Sequence, residues 1–328
     1  MTHKASIIPA SVVLLLTLMG GVGCSKQQAV QSPAEGNFPA DHVIRVAPEV
    51  ATTKGSYTSD NLTKFDLLVE DSNNPKYTYS NTVFKKSESG WTSDNLLLWS
   101  KSEAEVLVYA IAPSVGTVGS ASVSAINGDG ASLEVQAEQA KDDCSSDYLG
   151  WASGRKSVNE LLDTDGKLSF AFTHLLTRFT VTFKLGTEFN VSGVPAQDII
   201  SDVVVSGTAR DFKLKGATGY TSFTVTPGTA ASDIKPYGVG WTAAENAQGN
   251  CSSVYECILV PQTVAAGGLK ISFKVAGKNY EWVSAAGYTL NGNTAYTLTL
   301  KVGKDVVIAG GFTATAWTET PGGSLYTE

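Results

Sequence analysis

The fold of this chain is decided by one stretch, LSFAFTHLLTRFTVTFKL, at residues 168–185. Its large apolar residues hold the even positions up to Phe172 and the odd positions from Phe179 to Phe183. Because successive side chains of a strand point to opposite faces, this change of phase would turn the later residues away from the core. The stretch therefore predicts a bulge, a bend or a change of sheet near residues 175–176, which is typical of a β-sandwich.

The sequence on both sides of this stretch also indicates short strands. Only 17% of residues are charged, 32 are glycine, and β-branched and aromatic runs alternate with turn residues. The pair Asn291 and Gly292 is a strong hairpin signal before an alternating strand. One brief helix is expected at residues 157–162, with Ser157 as its cap and Glu160 three residues later. These patterns predict an all-β fold.

The amino-terminal residues indicate export. An apolar run at residues 7–19 is followed by four small or aliphatic residues and then by Cys24. The run is shorter than the roughly 20 apolar residues that a membrane-spanning helix needs. We interpret residues 1–23 as a lipoprotein signal peptide and Cys24 as the lipidated first residue of the mature chain.

The mature chain is predicted to contain a tether and two folded parts. Residues 24–40 have few large apolar side chains and are expected to form a flexible tether. A first β domain is expected at residues 41–190 and a second at residues 191–328. The boundary is placed near Asn190, where the strand pattern restarts.

Charge and composition exclude several classes of function. Removal of the leader takes away Lys4 and leaves 23 basic against 31 acidic residues, a net charge of −8. Such an acidic chain is not expected to bind nucleic acid. The mature chain has only His42 and His174, and neither lies in a recognisable motif, so we expect no metal site, no cofactor and no enzymatic activity. His174 ends an apolar face and is interpreted as a structural residue.

The remaining cysteines are Cys144, Cys251 and Cys257. An exported chain meets an oxidising compartment, in which Cys251 and Cys257 lie close enough in sequence to close a small disulfide loop. The alternative is a pair of free, half-buried thiols near the start of a strand. Both interpretations stay open at the level of sequence.

Exposed tryptophans are candidates for contacts with sugars. Trp151 and Trp241 lie beside glycine-rich turns, where flat rings could stack on a glycan, whereas Trp99 and Trp317 border strands and are expected to pack in the core. Most large aromatic residues of β-sandwiches are core residues. The glycan contact is therefore the less favoured of the two interpretations.

Several segments together resemble the fimbrillin family, whose members are subunits and anchors of lipoprotein-derived pili. They are the cysteine at Cys24, TTKG at residues 52–55, LVYAIAP at 107–113, LSFAFTHLLTRF at 168–179, and YTLTL at 296–300 followed by a strand that ends at Trp317. The resemblance implies two transthyretin-like β-sandwich domains in tandem. It also implies other fimbrial subunits as partners, an outer membrane reached through the lipid on Cys24, and assembly by strand exchange in a surface fimbrium.

In the family, a protease removes the first strand by cutting after a basic residue in an early loop. Here the first strand is predicted at residues 43–46, and Pro48 either ends it or confines it to a sheet edge. The candidate processing residues are Lys54, in a polar loop, and Arg45, within the predicted strand. Lys54 is favoured because an exposed loop is more accessible to a protease.

The incoming strand is expected to come from the end of the chain. Ile308, Phe312, Ala314 and Ala316 are predicted to share one face of a terminal strand and to insert into the groove of another subunit. The short polar tail after Trp317 favours a tip or accessory position over a stalk position.

Two other functions compete with this hypothesis. The chain could be a lipid-anchored pilus anchor that is never cleaved, or a surface lipoprotein that binds a host or nutrient glycan through Trp151 and Trp241. An enzyme ranks third, because no catalytic motif supports it.

Overall fold

The computed structural model describes residues 36–50, 57–115 and 123–317. Within these ranges the chain is almost entirely β-structure, as predicted. The described residues contain no helix long and apolar enough to cross a membrane. The strands up to residue 185 are β1 (Val46–Val50), β2 (Lys64–Asp71), β3 (Tyr79–Ser87), β4 (Gly90–Ser93), β5 (Glu105–Ala112), β6 (Ala131–Glu134), β7 (Leu149–Ser157), β8 (Leu168–His174) and β9 (Thr177–Leu185).

The remaining strands follow residue 190. They are β10 (Ile200–Ala209), β11 (Asp211–Gly216), β12 (Phe223–Pro227), β13 (Ala231–Ile234), β14 (Tyr237–Thr242), β15 (Ser252–Leu259), β16 (Gln262–Val264), β17 (Lys270–Val275), β18 (Lys278–Val283), β19 (Tyr288–Leu290), β20 (Thr294–Val302) and β21 (Val307–Ala316). Short 3-10 helices lie at Pro75–Tyr77, Val123–Asn127 and Thr187–Asn190.

The strands form five sheets in the described ranges. The largest has seven strands in the order β1-β8-β7-β5-β2-β3-β4, and a second has five strands in the order β14-β15-β9-β20-β21. A four-stranded sheet, β13-β10-β17-β18, a three-stranded sheet, β12-β11-β6, and the pair β16-β19 complete the fold. Most neighbours are antiparallel, but β1 runs parallel to β8 and β20 runs parallel to β9.

The hydrophobic side chains are divided between two cores. One core is built on the inner face of the seven-stranded sheet and includes Phe65, Trp99 and Phe172. The other fills the space between the five- and four-stranded sheets, where the rings of Phe183 and Phe273 lie 4.6 Å apart. This face-to-face packing of sheets is that of a β-sandwich.

The predicted corner in the central stretch is confirmed. Strand β8 ends at His174 in the seven-stranded sheet, and β9 begins at Thr177 in the five-stranded sheet. Phe172 and Phe183 are both fully buried despite their opposite parity, each in a different core. The break at residues 175–176 is therefore what lets one continuous run supply apolar side chains to two cores.

The brief helix is also confirmed. Helix α1 (Val158–Leu161) begins after Ser157, and Ser157 and Glu160 form a capping box. The Ser157 backbone N–H donates to Glu160 Oε2 at 2.9 Å, which lowers the pKa of Glu160 together with the bond from the Ser157 hydroxyl. This reciprocal bonding satisfies the first amide groups of the helix.

The predicted first strand is shifted along the chain. Residues 43–46 were expected to form it, but β1 starts at Val46 and continues through Pro48 to Val50, while Val43 makes only an isolated bridge to Leu98. Proline lacks an amide donor and is tolerated at a sheet edge, where one side of the strand bonds to nothing. Pro48 therefore marks the strand as an edge and does not end it.

Of the two interpretations left open for Cys251 and Cys257, the structure shows the free thiols, and both are buried. Both residues are free thiols, and Cys257 lies within β15 while Cys251 immediately precedes that strand. Six residues of extended chain span roughly 20 Å. A disulfide requires Cα atoms about 4.4–6.8 Å apart, so the strand itself keeps the two sulfur atoms from meeting.

The domain boundary near Asn190 stays a prediction, as does the tandem count of two domains. Strand β9, at residues 177–185, precedes this boundary in the sequence. It nevertheless pairs with β15 and β20 of the five-stranded sheet, which both follow the boundary.

Candidate functional site

The amino-terminal strand β1 is an edge strand with one neighbour, β8. Its parallel register places Val46 beside Leu168 and Val50 beside Phe172. Both valine side chains are buried in the core of the seven-stranded sheet. Strand β1 thus covers part of this core and has a neighbouring strand on one side only, while the Val50 N–H donates to Ser59 Oγ at 2.9 Å.

An aromatic floor lies under this part of the sheet. The ring of Phe65 lies 5.9 Å from that of Phe170 and 5.7 Å from that of Phe172, both on β8, the strand that β1 pairs with. Phe84 stacks on the other side of Phe65 at 5.4 Å. Aromatic rings at these separations contribute to stability beyond the area they bury. Removal of β1 would therefore uncover the edge of a hydrophobic cluster that is itself well packed.

An open cleft of about 660 Å³ separates β1 and the residues before it from β4. Its lining is mainly apolar and includes Ile44, Trp91 and Leu96, of which Leu96 is 71% exposed. Strands β1 and β4 are the two edges of the same seven-stranded sheet, so the sheet nearly closes on itself at this point. Loss of β1 would widen the cleft into a groove bounded by β8 and β4.

The two candidate processing residues differ in what a cut after them would remove. Lys54 lies outside the described residues, between β1 and Tyr57. Arg45 precedes β1, so a cut after Arg45 would leave β1 in place, whereas a cut after Lys54 would detach it.

The surroundings of Arg45 also protect its backbone. The Arg45 carbonyl accepts a bond of 2.8 Å from the Leu168 N–H, and its guanidinium pairs with Asp41 at 2.5 Å. The hydrogen bond from Arg45 lowers the pKa of Asp41 to about 2. A bonded backbone must open before a protease can bind it, so Arg45 is the poorer processing site.

The carboxyl-terminal strand β21 is also an edge strand, in the five-stranded sheet, and it pairs only with β20. Its ten residues contain no charged side chain, and most of them are exposed. Phe312 is half-buried and stacks on Tyr288 at 4.2 Å. The predicted donor residues therefore lie on a strand that is folded back on its own chain.

The predicted shared face of this strand is wrong at one position. The register shifts between Thr299 and Leu300, so Phe312 pairs with Leu298 but Ile308 pairs with Lys301. Leu298 points into the core and Lys301 points to solvent, and Ile308 is accordingly 52% exposed. A bulge of one residue within the glycine pair of β21 turns Ile308 away from the face of Phe312. Ala314 and Ala316 keep the predicted parity with Phe312, opposite Tyr296 and Thr294.

A buried polar cluster lies where the two cores meet the bend at residues 175–176. It consists of Tyr57, Asp147, His174 and Trp317 and is called the Asp147 cluster below. His174 Nδ1 donates to Asp147 Oδ1 at 2.7 Å, and the Tyr57 N–H donates to Asp147 Oδ2 at 3.1 Å. The ring of Trp317 stacks on that of His174 at 4.1 Å and 8°.

This cluster was only partly visible in the sequence. The structural interpretation of His174 and the packing role of Trp317 agree with their burial, at 2% and 1% exposed. The role of Asp147 was missed, because its position near Asp142 and Asp143 is typical of a solvated acidic turn. His174 lies 27 positions and Tyr57 lies 90 positions from Asp147 in the chain. No sequence pattern connects residues that far apart, so the sequence carried no signal for these contacts.

The two candidate glycan-contact residues lie on different sheets and do not form one platform. Trp151 is half-buried on β7, stacks on Phe170 at 4.6 Å, and lines a cleft of about 390 Å³ together with Phe223. Trp241 is half-buried on β14 and packs against the core of the five-stranded sheet. Only Trp151 borders a cleft with a second aromatic ring.

The described ranges offer little for catalysis or metal binding. No group of three or more metal-ligating side chains is found among the described residues. Burial and the nearby carboxylates raise the pKa of the Cys144 thiol to about 11, which disfavours the reactive thiolate. Cys257 is buried and its thiol pKa is also raised by burial.

Comparison with known proteins gives one family. A family model described as fimbrillin-like matches residues 47–317, a span that begins in β1 and ends at Trp317. No curated protein sequence matches this chain significantly.

Solved structures share the fold at low sequence identity. A candidate cell adhesion protein from Bacteroides uniformis matches with a TM-score of 0.54 at 18% identity, over 85% of this chain and 100% of that chain. A fimbrial protein from Bacteroides vulgatus gives 0.52 at 14% identity, over 83% and 99% of the two chains. The tip fimbrial protein Mfa3 from Porphyromonas gingivalis, with a C-terminal truncation, gives 0.50 at 11% identity, over 83% and 99%.

Proposed function

Because this chain belongs to the fimbrillin-like family, we propose that it is a structural subunit of a surface fimbrium that assembles by proteolysis and donor-strand exchange. In this proposal the precursor is exported, lipidated at Cys24 and carried to the outer membrane. A protease then removes its amino-terminal strand, and a strand of another fimbrial subunit takes the vacated place. The protein acts by assembly and adhesion and needs no cofactor.

The observation that carries the proposal is the position of β1. The strand pairs on one side only, buries Val46 and Val50 above the aromatic floor, and borders an open cleft. Loss of such a strand leaves unpaired backbone groups on β8 and uncovers apolar side chains. An extended strand of another chain can satisfy both by β-augmentation.

The position of β1 supports a cut after Lys54 in this proposal. A cut after Lys54 would release residues 24–54 with the whole of β1, whereas a cut after Arg45 would leave Val46 and Val50 in the core. We therefore assign Lys54 as the processing residue and give Arg45 no role in activation.

The donor in this proposal is β21 of an incoming subunit. A donor must leave its own fold and enter another, and β21 is an uncharged edge strand with mostly exposed side chains. Phe312, Ala314 and Ala316 are the residues proposed to fill the groove, while Ile308 lies on the opposite face beyond the bulge.

Limited proteolysis tests the cleavage and the donor together. Purified precursor is treated with a limiting amount of trypsin and analysed for ladders that resist SDS. We expect ladders from the wild-type chain and from Arg45→Ala, and none from Lys54→Ala or from a chain truncated after Val302.

Each variant tests a different part of the proposal. Ladders from Lys54→Ala would contradict cleavage at that residue, and ladders from the truncated chain would contradict β21 as the donor. Arg45→Ala is the matched control, since it removes a basic residue on the other side of β1. If Arg45→Ala forms no ladders, the assignment of Lys54 as the one residue needed for processing is contradicted.

We propose that the lipid on Cys24 retains the precursor at the membrane before cleavage, since an acyl chain adds membrane affinity to an exported protein. Cys24→Ala should abolish acylation and leave the uncleaved precursor in the periplasm. This step would be contradicted if mass spectrometry showed that the Cys24→Ala protein reaches the cell surface and is cleaved like the wild-type chain.

One observation favours a second function, glycan binding at Trp151. This ring shares its cleft with Phe223 and with the exposed Thr173, a combination of aromatic faces and a hydroxyl that suits a sugar. Saturable binding to a glycan array should disappear in Trp151→Ala and persist in Trp241→Ala, whose ring lies on another sheet. Equal binding by both variants would dismiss Trp151 as a sugar contact.

We propose a tip or accessory position for this subunit. The alternative, an uncleaved anchor, predicts that protein recovered from the cell surface still begins at an acylated Cys24.

A further inference from the structure

The burial of the carboxyl-terminal strand is uneven. Between Val307 and Ala316 the side chains of β21 are exposed or half-buried, whereas the next residue, Trp317, is 1% exposed. An edge strand with little side-chain burial opens readily, because few apolar contacts are lost when it leaves. Trp317 is therefore the largest buried side chain that holds this end of the chain to the fold.

The contacts of Trp317 reach beyond its own sheet. Its ring stacks on His174 at the end of β8, a strand of the seven-stranded sheet. The backbone N–H of Trp317 donates to the carbonyl of Asn293, in the turn before β20, at 3.1 Å. The backbone N–H of Asn293 in turn donates to the carbonyl of Leu176 at 2.9 Å. The end of β21 is thus fastened to the bend that joins the two sheets.

The same histidine is connected to the segment that follows β1. Asp147 is 1% exposed and accepts from His174 through one oxygen and from the Tyr57 N–H through the other. Tyr57 is the first described residue after Lys54. A short chain of contacts therefore links Tyr57, the first described residue after the proposed processing site, to Trp317, which directly follows the proposed donor strand.

We infer that Trp317 is a latch that holds β21 on its own chain, and that the Asp147 cluster couples this latch to the segment at Tyr57. In the precursor, the Tyr57 N–H and Asp147 keep His174 in place under the indole ring. Loss of the segment before Tyr57 loosens that bond, frees His174 to move, and weakens the hold on Trp317. The inference rests on the proposed function in treating β21 as the donor strand and Lys54 as the processing residue.

This coupling gives the order of events a physical reason. A donor strand that left its own sheet before processing would expose β20 to unproductive pairing with other chains. A latch that loosens after processing keeps β21 folded in the precursor and releases it once the subunit is ready for assembly. The indole Nε1–H is buried without a hydrogen-bond partner among the described residues, so the docked state is not held by every bond it could make.

Amide hydrogen exchange on the uncleaved precursor tests the latch without any protease or partner. Amides of residues 307–316 that bond to β20 should exchange about tenfold faster, or more, in Trp317→Ala than in the wild-type chain. Trp317→Phe keeps an aromatic face on His174 and should restore slow exchange. Amides of β9 serve as the internal reference, because that strand is central in the same sheet.

The coupling is tested by a pair of variants at one position. Tyr57→Pro removes the N–H that Asp147 accepts, whereas Tyr57→Ala removes the side chain and keeps that N–H. We expect faster exchange at residues 307–316 in Tyr57→Pro and in Asp147→Asn, and a smaller change in Tyr57→Ala.

The outcomes separate the latch from the proposed function. Unchanged exchange in Trp317→Ala, or an equal increase in β9, would overturn the latch, and identical exchange in Tyr57→Pro and Tyr57→Ala would overturn the coupling. If exchange at residues 307–316 rises as expected but cleaved chains form no ladders, the latch stands and strand exchange does not.

Discussion

The two edge strands β1 and β21 are bound to the fold in opposite ways. Strand β1 is five residues long, and its two terminal valines reach into a core of stacked aromatic rings. Strand β21 is ten residues long, lies on its sheet with exposed side chains, and is fastened mainly at its end by Trp317. A short strand with deep contacts leaves a groove when it is removed, and a long strand with shallow contacts can leave without destroying its own core. The difference matches the acceptor and donor parts that strand exchange requires.

The largest effects are expected from the two cores, one of which contains the aromatic floor under β1. Phe172→Ala and Phe183→Ala should each lower the free energy of unfolding by about 3–5 kcal/mol, because both rings are fully buried. Ser169→Ala, at an exposed position of β8, is the control and should change stability by less than about 0.5 kcal/mol. Chemical denaturation measures all three, and wild-type midpoints for both phenylalanine variants would disprove the two-core arrangement.

A smaller effect is expected from the inner side chains of β1. Val46→Ala and Val50→Ala should each cost about 1–2 kcal/mol in the uncleaved precursor, since each removes two buried methyl groups. Glu49→Ala, on the exposed side of the same strand, should be nearly neutral. After removal of residues 24–54 all three variants should have the same stability, because the altered residues have left. A persistent difference between them would show that β1 stays bound.

The smallest effects are expected along β21. Phe312→Ala should cost about 1 kcal/mol, because the ring is half-buried against Tyr288, and Ile308→Ala should cost less than about 0.5 kcal/mol. Chemical denaturation of both variants measures this difference in stability loss between Phe312 and Ile308, which the bulge places on opposite faces. A strand without the bulge would place both residues on one face, so equal losses would contradict the register shift at residues 299–300.

The predictable parts of the fold were those determined by neighbours in sequence. Alternation within residues 168–185 fixed the bend at residues 175–176, because side-chain parity is a local property of a strand. The cap formed by Ser157 and Glu160 is equally local. Each of these signals needs only a few consecutive residues.

The features that were missed depend on distant partners or on backbone details. The bulge that turns Ile308 outward arises from pairing with β20, and β1 extends past Pro48 because, among the described strands, it pairs with β8 alone. Asp147 joins residues that are far apart in the chain, and the spacing of six between Cys251 and Cys257 left open a disulfide that the extended strand between them prevents. Tertiary pairing decides each of these outcomes, and sequence patterns do not encode it directly.

The central claim is that β1 is removed before assembly, and the amino-terminal sequence of the protein recovered from surface fimbriae tests it most directly. Edman sequencing or mass spectrometry of that protein should find Gly55 as the first residue and no peptide from residues 24–54. A chain that still begins at an acylated Cys24 and retains Val46 to Val50 would contradict the account.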